Sequence, residues 1–386
     1  MDSQPAPRKG RARERYERRR ARQQVTPQAS AARSVPRQLK PAGGFELPKI
    51  NFPQQRLLLY GAGAVAFAIV VVFALGLLKN DPVETDPNAI WLGTEWTYEQ
   101  PDDAAIARLV NRLREHEIGT VYAWVSWLQE DGSWRGTANF GAVKTFVEQF
   151  NKAYPEGELY GWVSFPVNVG DDDGYRLDEE ELQQEVADFS QRIIGEFGFD
   201  GVHLNVEPVW NDNSDDFLEL LRKVRTAVGN DSPISVAVPP DWSPTDAEIP
   251  VPPRITPGTF WDKQFKQRVA LLADEIVVMA YNGGLSKPED YAEWVAYQVS
   301  AYAEALSDPI TGTALVIGIP TYDRDVTEPP AHDPAVENVE SAVTGIRLGL
   351  SQAGEAAQTV KGVAIYAEWE TDDSEWAQFK SDWLGG

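Results

Sequence analysis

The sequence predicts an α/β protein: a (β/α)8 TIM barrel preceded by a single transmembrane helix and a disordered basic N-terminal arm. Three observations carry this. Charge is divided sharply along the chain. A 22-residue stretch carries no charge at all. Beyond it, eight short apolar runs alternate with eight amphipathic segments.

The net charge of −24 over 386 residues conceals two opposite parts. Residues 1–56 hold 14 Lys+Arg and 4 Asp+Glu, a net +10; the remaining residues hold 21 and 55, a net −34. The first part is polar and rich in Arg, Gln, Pro and Ala. It lacks the apolar mass to offset chain entropy, so it is expected to be a disordered arm. Its charge suits anionic lipid headgroups or nucleic acid, whereas the acidic remainder repels nucleic acid and other anionic polymers.

Residues 57–78 read LLLYGAGAVAFAIVVVFALGLL. At 1.5 Å per residue they span the roughly 30 Å hydrocarbon core. Lys and Arg lie almost wholly on the N-terminal side, so residues 1–56 are expected in the cytoplasm and the rest of the chain outside it. A cleaved signal peptide is the competing reading, but the basic region is too long and no small-residue cleavage site follows. Residues 79–89 form a linker to the domain at 90–386.

Within that domain, strand-like runs fall at 90–95, 119–127, 158–165, 200–207, 233–239, 274–281, 314–320 and 360–368. Helical segments fall at 101–117, 141–154, 178–197, 214–229, 259–273, 288–307, 337–353 and 374–384. In the third, Leu182, Val186, Phe189 and Ile193 recur at three or four residues, the period of one helix face. The runs are nearly all apolar, as strands covered on both faces are. Strict alternation implies parallel strands, and eight units match the closed barrel. A doubly wound open sheet would carry a glycine-rich phosphate turn after the first strand, where this chain has TEWTYEQ.

With no cysteine, disulfides, thiolate metal sites and cysteine nucleophiles are excluded. The three histidines, at 116, 203 and 332, make a multi-histidine metal site unexpected, and no cofactor is implied. Asp171, Asp172 and Asp173 lack alternating ligand spacing and read as a solvated loop. Thirteen Trp and thirteen Tyr suit a sugar-binding cleft or a large core equally.

Function in such barrels gathers at the C-terminal strand ends. There the sequence places Glu95 and Trp96, Trp127, Asn205 and Glu207, Asp241 and Trp242, Tyr281 and Asn282, Tyr322, Tyr366, and Glu368 with Trp369. Aromatic residues and carboxylates at nearly every strand end describe a carbohydrate rim. On the fourth strand, His203, Asn205 and Glu207 share one face by period two, with Asn205 below Glu207. Burial there raises a carboxylic acid's pKa, as a general acid near neutral pH requires. Glu207 as an ordinary salt-bridge partner and His203 as a core residue are the plainer readings.

The segment Asp200-Gly201-Val202-His203-Leu204-Asn205-Val206-Glu207 resembles the Asp-Gly-x-Asp-x-Asp-x-Glu signature of family 18 glycoside hydrolases, the chitinase family. His203 and Asn205 stand where that signature has aspartates. Met279-Ala280-Tyr281-Asn282, Gly318-Ile319-Pro320-Thr321-Tyr322 and Gly362-Val363-Ala364-Ile365-Tyr366 are similar to the family's motifs on strands six, seven and eight. The Asn-x-Glu pair resembles family 85 endo-β-N-acetylglucosaminidases. The resemblance implies substrate-assisted retaining hydrolysis of N-acetylglucosamine-containing glycan. Glu207 is then the acid/base, with Asn205 and Tyr281 orienting the substrate's acetamido group. Glu95, Trp96, Trp127, Trp242, Asn282, Tyr322, Tyr366, Glu368 and Trp369 are expected to contact the glycan. A catalytically inactive glycan-binding barrel is the alternative. Glu368 or Glu370 pairing with Glu207 in a two-carboxylate mechanism is a third reading.

Overall fold

Eight parallel strands close on themselves in sequence order. They are β1 (Asn88–Leu92), β2 (Ile118–Trp127), β3 (Glu158–Pro166), β4 (Gly201–Glu207), β5 (Ile234–Val238), β6 (Glu275–Met279), β7 (Ala314–Pro320) and β8 (Val360–Tyr366). Ala89 opposite Ala364 and Ile90 opposite Ile365 complete the closure. The computed structural model describes residues 88–169, 174–244, 248–307, 312–323 and 331–385. The expected arm, anchor and all but the end of the linker lie outside them, as do Asp171, Asp172 and Asp173. Among the described residues, no helix is long and apolar enough to cross a membrane.

A short helix α1 (Thr94–Thr97) follows β1. The outer layer consists of α2 (Asp103–Glu115), α3 (Phe140–Ala153), α4 (Glu180–Arg192), α5 (Ser214–Val228), α6 (Lys263–Ala270), α7 (Pro288–Leu306), α8 (Val339–Ala353) and α9 (Asp373–Phe379). Side-chain caps define several starts. Asp102 accepts the Ala105 N–H at 2.7 Å, Asp262 that of Phe265 at 2.7 Å, and Asp372 those of Ser374 and Glu375. Each such cap is worth about 1 kcal/mol. Gly198, at φ +85°, ends the α4 segment in a left-handed conformation that a side chain disfavours.

The pleat divides each strand between two cores. Outward residues such as Val202, Leu204 and Val206 join the large apolar layer beneath the helices. Inward residues form a smaller cluster that includes Trp91, Tyr122, Tyr160, Trp162, Val277 and Val316. Each fully buried Val, Leu or Ile contributes roughly 1.5–3 kcal/mol, so the double covering accounts for the nearly continuous apolar strands.

Three strand ends differ from expectation. β1 begins at Asn88 and stops at Leu92; residues 94–97 are helical, and the Glu95 carboxylate folds back to accept the Gly93 N–H at 3.2 Å. β6 stops at Met279, leaving Tyr281 beyond the ladder. β8 stops at Tyr366, so Glu368 and Trp369 belong to the following loop.

The lower barrel interior holds a polar network whose members pair with one another. The Trp91 indole N–H donates to His203 Nε2 at 3.1 Å, and His203 Nδ1 lies 2.8 Å from Ser235 Oγ. The Ser235 and Tyr122 hydroxyls both donate to Glu275 Oε1, at 2.6 and 2.7 Å. Because Nε2 accepts and Ser235 donates onward, His203 is the neutral Nδ1–H tautomer. Its ring stacks on Tyr122 at 3.9 Å. Burial pushes its pKa down to about 3. His203 is therefore part of the barrel core.

Candidate active site

β4 brings the central residues to the mouth by register. Ser164 on β3 faces Asn205 and Pro166 faces Glu207, while Ala237 flanks Asn205 from β5. His203, Asn205 and Glu207 thus rise in three steps along one inward face, from paired core to open mouth.

Glu207 is open to water yet surrounded by protein on most sides. Water access permits proton exchange; the surrounding protein sets the pKa. Burial is the cause that raises its carboxyl above the ordinary range. Among the described residues, no charge from another carboxylate and no hydrogen bond counts among the causes. A direct-nucleophile retaining pair needs a second carboxylate about 5–5.5 Å away, close enough for its charge to register. Glu368 is engaged with other partners. It accepts the Trp96 indole N–H at 2.7 Å, and the charge pressing on it is that of Glu95. Burial raises the pKa of both Glu95 and Glu368.

Burial raises the pKa of Tyr281 and of Tyr366; the charge of Glu207 adds to this for both, for Tyr281 after the neighbouring Tyr366 and Tyr322. The two rings stack at 5.4 Å with 15° between planes. Gly318 on β7 makes room: a Cβ there would lie 3.1 Å from Tyr281 Cε1 and 3.0 Å from the Val278 carbonyl. Tyr366 also meets Trp91, Tyr322 and Trp369 edge-on at 5.4–5.6 Å, which makes it the hub of the mouth's aromatic cluster.

Two buried polar atoms here lack a partner among the described residues: Asn205 Oδ1 and Trp162 Nε1. An unpaired buried polar group costs about 1–3 kcal/mol, so its presence at a cleft marks a place where a ligand can complete the bonding.

The remaining rim residues divide. Trp127 is 36% exposed, backed by Arg135 at 5.0 Å, and borders a cleft of about 480 Å³ that Leu128, Gln129, Glu130 and Pro166 also line. Of its lining residues, Pro166 is the register partner of Glu207. Trp369 is 40% exposed. Trp96 is committed to Glu368, and Tyr322 donates to Asn282 Oδ1, so those pairs brace one another. Trp242 is half-buried with its indole nitrogen unpaired. Asp241 is buried against the Lys266 ammonium and accepts the Trp261 N–H at 2.8 Å, a structural role.

Sequence reasoning missed Trp162 and the buried carboxylate Glu337, which is bonded to the turn after Tyr281. Alternation along β3 could have found the first. Nothing local marks the second, 55 residues from its partner.

No protein-family model and no curated protein matches the chain. Solved structures do. The spore cortex-lytic enzyme SleL of Bacillus cereus matches with 11% identity over 76% of this chain and 73% of its own, at a TM-score of 0.50. A chitinase from Chromobacterium violaceum matches with 16% identity over 76% of this chain and 98% of its own, also at 0.50. At such identities the likeness is one of fold: the chain carries a chitinase-like (β/α)8 barrel.

Proposed function

We propose that the protein is a glycoside hydrolase acting on N-acetylglucosamine-containing glycan by substrate-assisted retention. The observation that carries this is Glu207: a carboxyl at the barrel mouth, raised in pKa by burial, with no carboxylate among the described residues acting on it and with its charge felt by Tyr281. Glu207 donates its proton to the glycosidic oxygen as that bond breaks. The substrate's own acetamido oxygen bonds to the anomeric carbon, in the place of an enzyme nucleophile. Asn205 Oδ1 accepts the acetamido N–H, and the Tyr281 hydroxyl donates to the acetamido oxygen. Glu207, now a carboxylate, takes a proton from water, which opens the ring intermediate with net retention. The chitinase and the cortex-lytic enzyme that share the fold support the substrate class.

Asn205 orients the amide without a charge to offset the cationic intermediate. This neutrality is also what favours a second reading, a surface module that binds glycan without cutting it. Release of reducing sugar from N-acetylated chitooligosaccharides or peptidoglycan fragments decides between them. Glu207→Gln lowers turnover about 10²–10⁴-fold under the first reading. Under the second, the wild type binds without turnover and Glu207→Gln binds equally well.

We further infer that residues 57–78 anchor the barrel on the outer side of a membrane, with residues 1–56 in the cytoplasm. The uncharged run and the basic residues before it support this. Retention in the membrane pellet after alkaline carbonate, with the barrel open to protease from outside, is the expected result; release into the supernatant refutes the anchor.

A further inference from the structure

The turn after β6 carries Tyr281 past the last ladder pair, Met279 opposite Gly318. From there the backbone is held by the Tyr281 N–H to the Met279 carbonyl at 2.8 Å, by the Tyr291 hydroxyl on the Ala280 carbonyl at 2.8 Å and by the Arg254 N–H on the Gly283 carbonyl at 3.0 Å. The next residues take left-handed conformations, Asn282 at φ +61° and Gly284 at φ +70°. Such a turn has alternatives, and something outside it has to select this one.

Glu337, 1% exposed and just before α8, reaches the turn. Its Oε2 accepts the Asn282 N–H at 2.7 Å, and its Oε1 accepts the Gly284 N–H at 2.9 Å. His332 Nδ1 lies 3.5 Å from the same Oε2, and His332 Nε2 lies 2.8 Å from the Tyr322 carbonyl. Tyr322 closes the ring of contacts by donating to Asn282 Oδ1, and its ring stands edge-on to Tyr281 at 6.0 Å. The carboxylate therefore fixes the residue after Tyr281 directly.

We propose that Glu337 is a positioning residue that aims the Tyr281 hydroxyl at the reacting group beside Glu207. The inference rests on the hydrolase reading above. It follows from the number of acceptors: two N–H groups converge on one side chain, and only a carboxylate presents two acceptor oxygens to them. A glutamine at 337 offers one oxygen and turns an NH2 toward the other N–H.

The test is a double-mutant cycle on the full-length protein with N-acetylated chitooligosaccharide as substrate. Glu337→Gln is expected to lower kcat by about tenfold with KM changed less than about twofold, the signature of a lost transition-state contact. In the Tyr281→Phe background the same change is expected to lower kcat by less than about twofold, because the group that it aims is already gone. Equal losses in both backgrounds, or no loss in the wild-type background, overturn the proposal. Glu337→Asp keeps the charge but shortens the reach, and serves if Glu337→Gln fails to fold. Failure of both variants to fold assigns Glu337 to the fold and likewise overturns the proposal. If the wild type itself cleaves no glycan, the hydrolase reading falls and this inference falls with it, an outcome distinct from an active wild type with additive variants.

Discussion

Two sets of polar side chains line the same barrel interior, one layer above the other, and their hydrogen bonds end differently. In the lower set, Trp91, His203, Ser235, Tyr122 and Glu275 satisfy one another. In the upper set, Asn205 Oδ1 is buried without a partner among the described residues, as is Trp162 Nε1 beside His203, and none of their carboxylates acts on Glu207. Satisfied buried groups add stability and specificity, whereas unsatisfied ones cost stability and persist where something else binds. The step from His203 to Asn205 on one strand crosses from core to site. Two residues that both replace signature aspartates thereby receive unrelated roles.

The largest expected effect on this contrast is in the lower set. His203→Ala leaves the Trp91 N–H unpaired and opens a cavity, and is expected to cost about 3–5 kcal/mol in denaturant unfolding. A loss below about 1 kcal/mol would break the comparison, because the lower network would then contribute no more than the upper one.

The next effect is in pH. His203 has a folded pKa of about 3, against 6.5 when unfolded, so between those values the unfolded state binds more protons. Its contribution is fully present above about pH 6.5 and fades at up to about 1.4 kcal/mol per pH unit as pH falls toward 3. Glu275 acts in the opposite sense. Its raised folded pKa favours the folded state at low pH, and that preference is lost as pH rises through the folded value. Unfolding free energy followed from pH 7 to pH 4, in the wild type and in His203→Phe, separates the two. An unchanged slope in the variant would remove His203 as the cause.

At the mouth, activity is expected to fall as pH rises through the raised pKa of Glu207, since the acid must be protonated. With asparagine at 205, that residue sets no acid limb. Asn205→Asp is expected to introduce one, turning a one-sided kcat profile into a bell; a bell already present in the wild type would assign the acid limb elsewhere. The smallest effect is Trp162→Phe, which removes an unpaired N–H and should leave stability within about 1 kcal/mol of the wild type or raise it, with weaker glycan binding. A larger loss would show that this indole nitrogen is paired in solution.

The alternation of apolar runs and amphipathic segments made the eight units legible, because burial on both strand faces and on one helix face leaves a periodic trace in composition. Strand ends were less legible. Gly93, Thr94 and Glu95 directly follow the apolar run Ile90-Trp91-Leu92, yet the chain turns helical there, with Glu95 accepting the Gly93 N–H. Glu207, Asn205 and Tyr281 could be placed because strand period and strand order locate them. Trp96 and Glu368 could be placed on the rim but not joined to each other, since their bond spans 272 residues.

The sequence by itself determined the barrel, the strand that carries Glu207, and the charge contrast between the first 56 residues and the rest, all properties that depend on local composition and short spacing. Tertiary structure alone decided which polar groups are paired and which are left open. It made His203 neutral through Trp91 and Ser235, buried Glu207 at the mouth, and brought Glu337 to the turn behind Tyr281. Those outcomes depend on distances between residues far apart in the chain, and closing the barrel is the step that sets those distances.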